Sequence, residues 1–346
     1  METVERIAEV VLYEGFLLYP YTRSTMKNQQ RWTFGGVYPR EYSEASGGDD
    51  PWLMQTQCLV SGNAQTEVAV KVRFLHVVDR KVAEHAGGEP CFVDELRVGD
   101  EVHRPWEEAI EREIVVDGVP GGVTMADLTI ENRTVEIDVP EGSDQEPVLD
   151  PSGSRVGSII REWSALRGRV EMRAESAGAD LFRFTVRITN TTPLDTTWEG
   201  SGRDGIVRRS LISTHTILRV RNGDFVSLLE PPPEHAAEAA RCENVKTWPV
   251  LVGDHGERDT ILSSPIILYD YPQIAPESHG NFFDTTEIDE LMALSVLTLT
   301  DDEKREMRET DPRSREILER TESLSPEELM SLHGSIRSLQ TLRREE

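Results

Sequence analysis

Lysine is scarce in this sequence. Five lysines (Lys27, Lys71, Lys81, Lys246 and Lys304) stand beside 32 arginines, and all 37 bases face 63 acids, for a formal charge of -26 over 346 residues. A chain so short of basic charge is repelled by phosphate backbones and anionic membrane surfaces, since binding either needs a local excess of Lys and Arg to release counterions. Nucleic acid is therefore not an expected partner. Aromatic residues make up 6% and hydrophobic residues 37%, which is low but enough for a core. The three cysteines (Cys58, Cys91 and Cys242) are far apart and form no CxxC or CxxH spacing. Reduced, mostly buried thiols are expected, with no zinc or iron–sulfur site. No apolar run approaches the roughly 18 residues of a membrane span, so no membrane insertion is expected. The opening Met1-Glu2-Thr3-Val4-Glu5 lacks the basic and apolar regions of a signal peptide, which points to a cytoplasmic protein. HxH, HExxH, GxSxG and phosphate-loop patterns are missing too, so no sequence-local catalytic centre is expected.

What is present is mostly β pattern. Val4, Ile7, Ala8 and Val11 recur at helical spacing and predict a helix from residue 3 to about 18. An aromatic, glycine-bearing loop follows to residue 39, then a flexible connector over 43–50. From residue 52 the pattern alternates. Trp52, Met54 and Cys58 form one stripe, and Val68, Val70, Val72, Phe74, His76 and Val78 a second, with Ser61-Gly62-Asn63-Ala64 between them predicting a hairpin turn. Alternation returns at Val170, Met172 and Ala174, at Phe182, Phe184, Val186 and Ile188, and at Ile212, Leu218 and Val220. The expected fold is mainly β (α+β): an antiparallel β-sandwich-like core with an N-terminal helix and a short helical C-terminal appendage. Residues 84–150 hold 19 acids against four bases and read as a folded acidic insertion. Near the C-terminus, Thr300-Asp301-Asp302-Glu303 is a capping box, and Asp311-Pro312 and Ser325-Pro326 place caps before N1 prolines. The expected organisation is an N-terminal segment 1–50, a β core 51–283 and a helical appendage 284–346.

Candidate sites are sparse. The eight histidines are isolated, and His76 lies on the apolar face of its strand, where a core histidine is expected. His279, Asp284 and Glu287 offer an imidazole and two carboxylates to a divalent cation such as Mg, Mn, Fe or Ni. The simpler reading of the same stretch is a loop followed by a helix with an acidic first turn and no cofactor. Residues 254–259 (Asp254-His255-Gly256-Glu257-Arg258-Asp259) read as a charged turn before a strand. The aromatic, locally basic segment 13–39 offers partner-binding anchors in Tyr13, Glu14, Tyr19, Tyr21, Arg31, Trp32, Phe34 and Tyr38, or an N-terminal lid on the core.

Residues 13–39, 262–278 and 284–306, the last including Leu297-Thr298-Leu299-Thr300, resemble a family encoded in gene clusters of actinobacterial-type, high-affinity nickel–iron (NiFe) hydrogenases, among maturation and accessory genes. The resemblance covers about a quarter of the chain and implies a process rather than a reaction, with hydrogenase subunits or maturation factors as partners. It carries no catalytic residue to any position here, and the missing CxxC motifs depart from subunits that hold metal clusters. The leading expectation is a non-catalytic accessory or assembly factor for a metalloenzyme, acting by protein–protein docking. The alternatives are a metal-dependent enzyme built from distant His, Asp and Glu residues, and a carbohydrate- or peptide-binding β-sandwich using Trp52, Trp106, Trp163 or Trp198.

Overall fold

The structure, a computed structural model, describes residues 2–13, 35–47, 49–85, 90–99, 101–116, 123–194, 202–272, 296–297, 299–310 and 312–323. It divides into two compact units, one of residues 1–16 and 30–273 and one of residues 17–29 and 274–346. The division falls at 273/274, and the N-terminal helix belongs to the β unit.

The first unit is mainly β and antiparallel, as the alternation predicts. Its elements in chain order are α1 (Glu2–Tyr13), α2 (Arg40–Ala45), β1 (Leu53–Glu84), β2 (Cys91–Val93), β3 (Leu96–Val98), β4 (Glu101–His103), β5 (Trp106–Val116), β6 (Val123–Thr124), α3 (Met125–Ile130), β7 (Arg133–Val139), β8 (Gly142–Leu149), β9 (Arg155–Trp163), β10 (Leu166–Gly178), β11 (Leu181–Asn190), α4 (Gly202–Val207), β12 (Ile212–Val226), α5 (Ala236–Ala239), β13 (Trp248–Leu251) and β14 (Thr260–Ser264). Strands β13-β14-β12-β1-β11-β10-β7 run side by side in one sheet. Along one edge β1 pairs with β11, then β6, β5 and β2; along the other it pairs with β12, then β9. One strand thus serves two layers. The stripes Met54/Cys58/Val60, Val68–Phe74, Val170/Met172/Ala174, Phe184/Val186/Ile188 and Leu218/Val220 close on a single apolar cluster, which gives a sandwich-like core from one continuous sheet.

Acid-rich residues 84–150 are folded and enter this sheet: β5 pairs with β1 from Trp106 to Val116, β7 pairs with β10, and Val116, Met125, Leu128 and Ile137 join the main core. On β7 the carboxylates of Glu136 and Asp138 are exposed and alternate with Val135, Ile137 and Val139, whereas on β5 Glu108 shares the face of Ile110, Ile114 and Val116. In α1, Val4, Ile7, Ala8, Val11 and Leu12 are buried, and Glu5 meets Lys71 at 3.3 Å. The connector expected at 43–50 is corrected in part: residues 40–45 form α2, Ser43 is buried, and the Tyr42 hydroxyl donates to Asp50 at 3.0 Å. Side-chain hydrogen bonding outweighs the flexibility that its Ser and Gly content suggests.

The hairpin expected at 61–64 is not formed; β1 runs through it for 32 residues. Gly62 faces Gly223 and Glu67 faces Arg221, so four residues of β1 bulge out opposite Asn222, which is left-handed at φ 57°. Asn63 Oδ1 accepts from the Gln65 amide (2.8 Å), and Thr66 Oγ1 accepts from the Asn63 amide (2.9 Å) and donates to the Asn222 carbonyl (2.7 Å). These bonds satisfy backbone groups that the interrupted ladder leaves open, so the chain resumes its direction instead of reversing. A Cβ at Gly62 or Gly223 would overlap Thr66. Because Thr66 is buried, Thr66→Ala is expected to cost about 1–2 kcal/mol in urea denaturation, with Thr66→Ser recovering most of it. No measurable loss would mean that ladder pairing alone holds the bulge.

The second unit contains α6 (Asp301–Thr310) and α7 (Pro312–Ser323). The capping box forms as the sequence predicts: the Thr300 amide donates to Glu303 (2.8 Å) and the Glu303 amide to Thr300 Oγ1 (3.3 Å). The Thr300 amide and hydroxyl, both donating to the Glu303 carboxyl, hold it below its ordinary range. Pro312 begins α7 at the N1 position. Val296, Met307 and Leu318 are buried, and Glu322 bridges Lys304 and Arg308. The third predicted helix start, at Ser325-Pro326, lies outside the described residues.

Candidate docking surface

Few of the sequence-chosen residues fall within the described structure. Glu14, Tyr19, Tyr21, Arg31, Trp32 and Phe34, and the metal candidates His279, Asp284 and Glu287, lie outside it, as does the side chain of Tyr13. Tyr38 corrects the expectation of an exposed anchor. It is 2% exposed, stacks on Tyr42 at 5.9 Å and lies over Gly36, where a Cβ would strike its ring. Its backbone amide bonds to Pro51, which fixes it as a structural residue. Among the described residues no three His, Cys, Asp or Glu side chains converge on a metal-sized site. The cysteines are free, and only Cys58 is fully buried; burial pushes its thiol well above the ordinary value, while Cys91 is exposed.

Two polar constellations appear that sequence spacing did not announce. On β12 and β14, His215 Nδ1 donates to the Ser213 carbonyl at 2.6 Å, which leaves Nε2 to accept from the Ser264 hydroxyl at 3.2 Å. A serine beside an imidazole is the geometry of an activated nucleophile. Both residues are 0% exposed, however, and Ser264 Oγ also accepts from the Ile266 amide. Next to them Ser263 joins Thr56 (2.7 Å) and Thr247 (2.8 Å). This is hydroxyl pairing that ties β14 to its neighbours. On the opposite stretch of β1, Glu108 receives Arg80 (3.1 Å) and Arg161 (2.6 Å), and Arg161 also reaches Glu146 (2.9 Å). Beside this cluster His76 is fully buried with neither ring nitrogen hydrogen-bonded, and the Arg112 guanidinium lies 5.7 Å from the Trp163 ring. His76 is thus a core histidine, as its strand position predicts.

The surface feature that stands apart lies where β13 ends the sheet. Trp248 is 42% exposed, Ile267 70% and Tyr269 85%, with Val245 and Leu229 also exposed. Chain connections bring these residues to one end. Trp248 pairs with Ser264, the residue from which the chain runs on to Ile267, and the Tyr271 amide returns to the Leu251 carbonyl at 2.7 Å. Ser227, two residues before Leu229, bonds to Asp270, whose other oxygen accepts the Leu251 amide at 2.8 Å. Lys246, one of the five lysines, is exposed between Val245 and Trp248 with no ion pair to a described residue. Lys246 and Tyr271, on either side of β13, are both left-handed at φ 58°, a conformation that costs a non-glycine residue roughly 1–2 kcal/mol. Pro249 has no amide to offer, and residues 270–271 already occupy both backbone groups of Leu251, so the outer edge of β13 is closed to an added strand. What it presents is side chains. Phe92, Val115, Ile130 and Leu149, also exposed, sit singly on other elements.

Ile267 and Tyr269 lie within the block 262–278 that carries the family resemblance, but neither was assigned a role there. Trp52, Trp106 and Trp163 are half-buried, with Arg40 4.6 Å over Trp52, and none of them projects fully as a sugar platform would require. No helix among the described residues is long and apolar enough to cross a membrane. No protein-family profile matches the chain, and no curated protein is significantly similar to it.

Proposed function

We propose that the protein is a non-catalytic accessory factor that docks onto a protein partner through the β13 end of its sheet, in the assembly or maturation of a metalloenzyme. The resemblance at residues 262–278 makes a nickel–iron hydrogenase the proposed enzyme. One observation carries the docking reading: Trp248, Ile267 and Tyr269 stand exposed along β13 and the segment that returns to it, on a strained, hydrogen-bonded frame where Lys246 has no ion pair to a described residue. Exposed aromatic residues held on a rigid support supply most of the energy at protein interfaces, because they bury large area at little entropic cost.

The experiment has two stages. Deleting the gene in a host that makes such a hydrogenase should lower the processing, nickel content and activity of the large subunit; normal values for all three overturn the proposal. Complementation with Trp248→Ala and Tyr269→Ala should then fail, with affinity for the captured hydrogenase precursor reduced about 30-fold or more per site and thermal stability unchanged. Full complementation by both variants would place docking elsewhere on the chain.

A further inference from the structure

Most arginines on this sheet are neutralised: Arg73, Arg80, Arg161, Arg169 and Arg183 each engage a carboxylate. Arg219 and Arg221 of β12 do not, making no ion pair or side-chain hydrogen bond with a described residue. They project two positions apart on one face of the strand, with their Cα atoms about 7 Å apart. Their side chains line a cavity of about 430 Å³, whose other wall is the turn from β13 to β14 carrying Asp254, Glu257 and Asp259. That volume lies within the range of small-molecule sites.

Opposite charges that share a cavity without pairing are set to be bridged by something between them. The acidic wall is fixed in place. Glu257 Oε2 accepts the Asp254 amide at 2.9 Å, the Glu257 amide returns to the Asp254 carbonyl, and Thr260 donates to Asp259 at 2.8 Å. Gly253 and Gly256, at φ 133° and 98°, allow the turn, and a Cβ at Gly253 would overlap the Glu257 carboxylate. The basic wall sits on a strand bonded on both sides, Arg219 between Ala69 and Thr260. Val4 of α1 and Val252 complete the lining with apolar side chains, while the Val220 side chain turns to the core.

We infer that this cavity binds a basic α-amino acid. Its lining carries two guanidinium groups and three carboxylates, and a ligand with one carboxylate and two cationic groups opposes each wall and brings the total charge to zero. The arginines receive the α-carboxylate through their paired N–H donors, the α-ammonium and the side-chain cation meet the acidic turn, and the methylene stem lies on the valines. The site is separate from the β13 docking surface, so either can fail without the other.

Titration calorimetry of the full chain with L-lysine and with L-arginine tests the inference. Saturable one-to-one binding is expected. Cadaverine, which lacks the carboxylate, and Nα-acetyl-L-lysine, which lacks the α-ammonium, should each bind about tenfold or more weakly. The double variant Arg219→Met/Arg221→Met should lose about tenfold to a hundredfold in affinity, and Asp254→Asn/Asp259→Asn a similar factor. Melting temperature should hold in the arginine variant, since no ion pair is lost. Lack of saturation by both amino acids up to about 10 mM, cadaverine binding as tightly as lysine, equal competition by inorganic phosphate, or undiminished affinity in the arginine variant would each overturn it.

Discussion

Glu108→Ala is expected to cost the β unit about 3–5 kcal/mol, the largest effect of any single charge removal in the described structure. Glu108 has 13% of its side chain exposed and holds Arg80, at 7%, and Arg161, at 21%, on its two oxygens. Taking both arginines out of water is costly, and removing the shared carboxylate takes away much of the Coulombic return that offsets that cost. Arg161 keeps Glu146; Arg80 loses the carboxylate that its NH1 reaches. The double variant Arg80→Met/Glu108→Leu should recover most of the loss, because it leaves one buried charge fewer and fills the space with apolar volume. Urea denaturation of the three proteins decides the matter. A Glu108→Ala loss below about 1 kcal/mol would place the cluster in the range of ordinary surface pairs.

Acidification should destabilise the fold well above the pH at which its carboxylates titrate. His76 and His215 are both lowered from 6.5 to about 4, in each case chiefly by burial. The Arg112 charge adds to the shift at His76 and the Arg73 charge to that at His215, where the hydrogen bond to the Ser213 carbonyl opposes it. Both rings are neutral in the folded state, whereas the unfolded chain takes up protons below about 6.5, so their contribution is intact above that pH and falls away as the pH drops toward 4. The loss is about 3 kcal/mol per histidine by pH 4. The lowered carboxyls of Glu95 and Asp150 contribute above their unfolded values and lose that contribution only below about pH 4.5, so the window from 6.5 to 4.5 isolates the histidines. His76→Leu should flatten the pH profile by about half and leave stability at pH 7.5 unchanged or raised, since neither ring nitrogen has a hydrogen bond to lose. His215→Leu should flatten the profile similarly but cost stability at every pH, because Ser213 and Ser264 lose their partner. Parallel profiles for wild type and His76→Leu would refute the assignment.

The elements that were legible in the sequence are those whose signals are short-range. The α1 stripe, the capping box at Thr300 and the Pro312 start are set by residues three or four positions apart, and alternation alone marked the core faces of β1, β10, β11 and β12. The Ser61–Ala64 stretch misled because turn residues promote any departure from a regular ladder; whether the chain then reverses or bulges depends on Asn222 and Gly223, about 160 positions away. The docking surface was missed for a related reason. Trp248 and Tyr269 belong to segments with no shared spacing, and only the return of residues 270–271 to β13 brings them to one end of the sheet.

By itself, the sequence determined a mainly β, antiparallel fold with an N-terminal helix and a capped helical end, because apolar periodicity and capping are local chemistry. It also fixed the acidic charge that argues against a nucleic-acid partner. Tertiary structure alone decided where that charge is spent. It brought Glu108 between arginines 28 and 53 residues away, sealed Ser264 against His215 across 49 residues, and set Arg219 and Arg221 across a cavity from three carboxylates. Strand register sets those distances. Register follows from the packing of the whole sheet, and no window of sequence contains it.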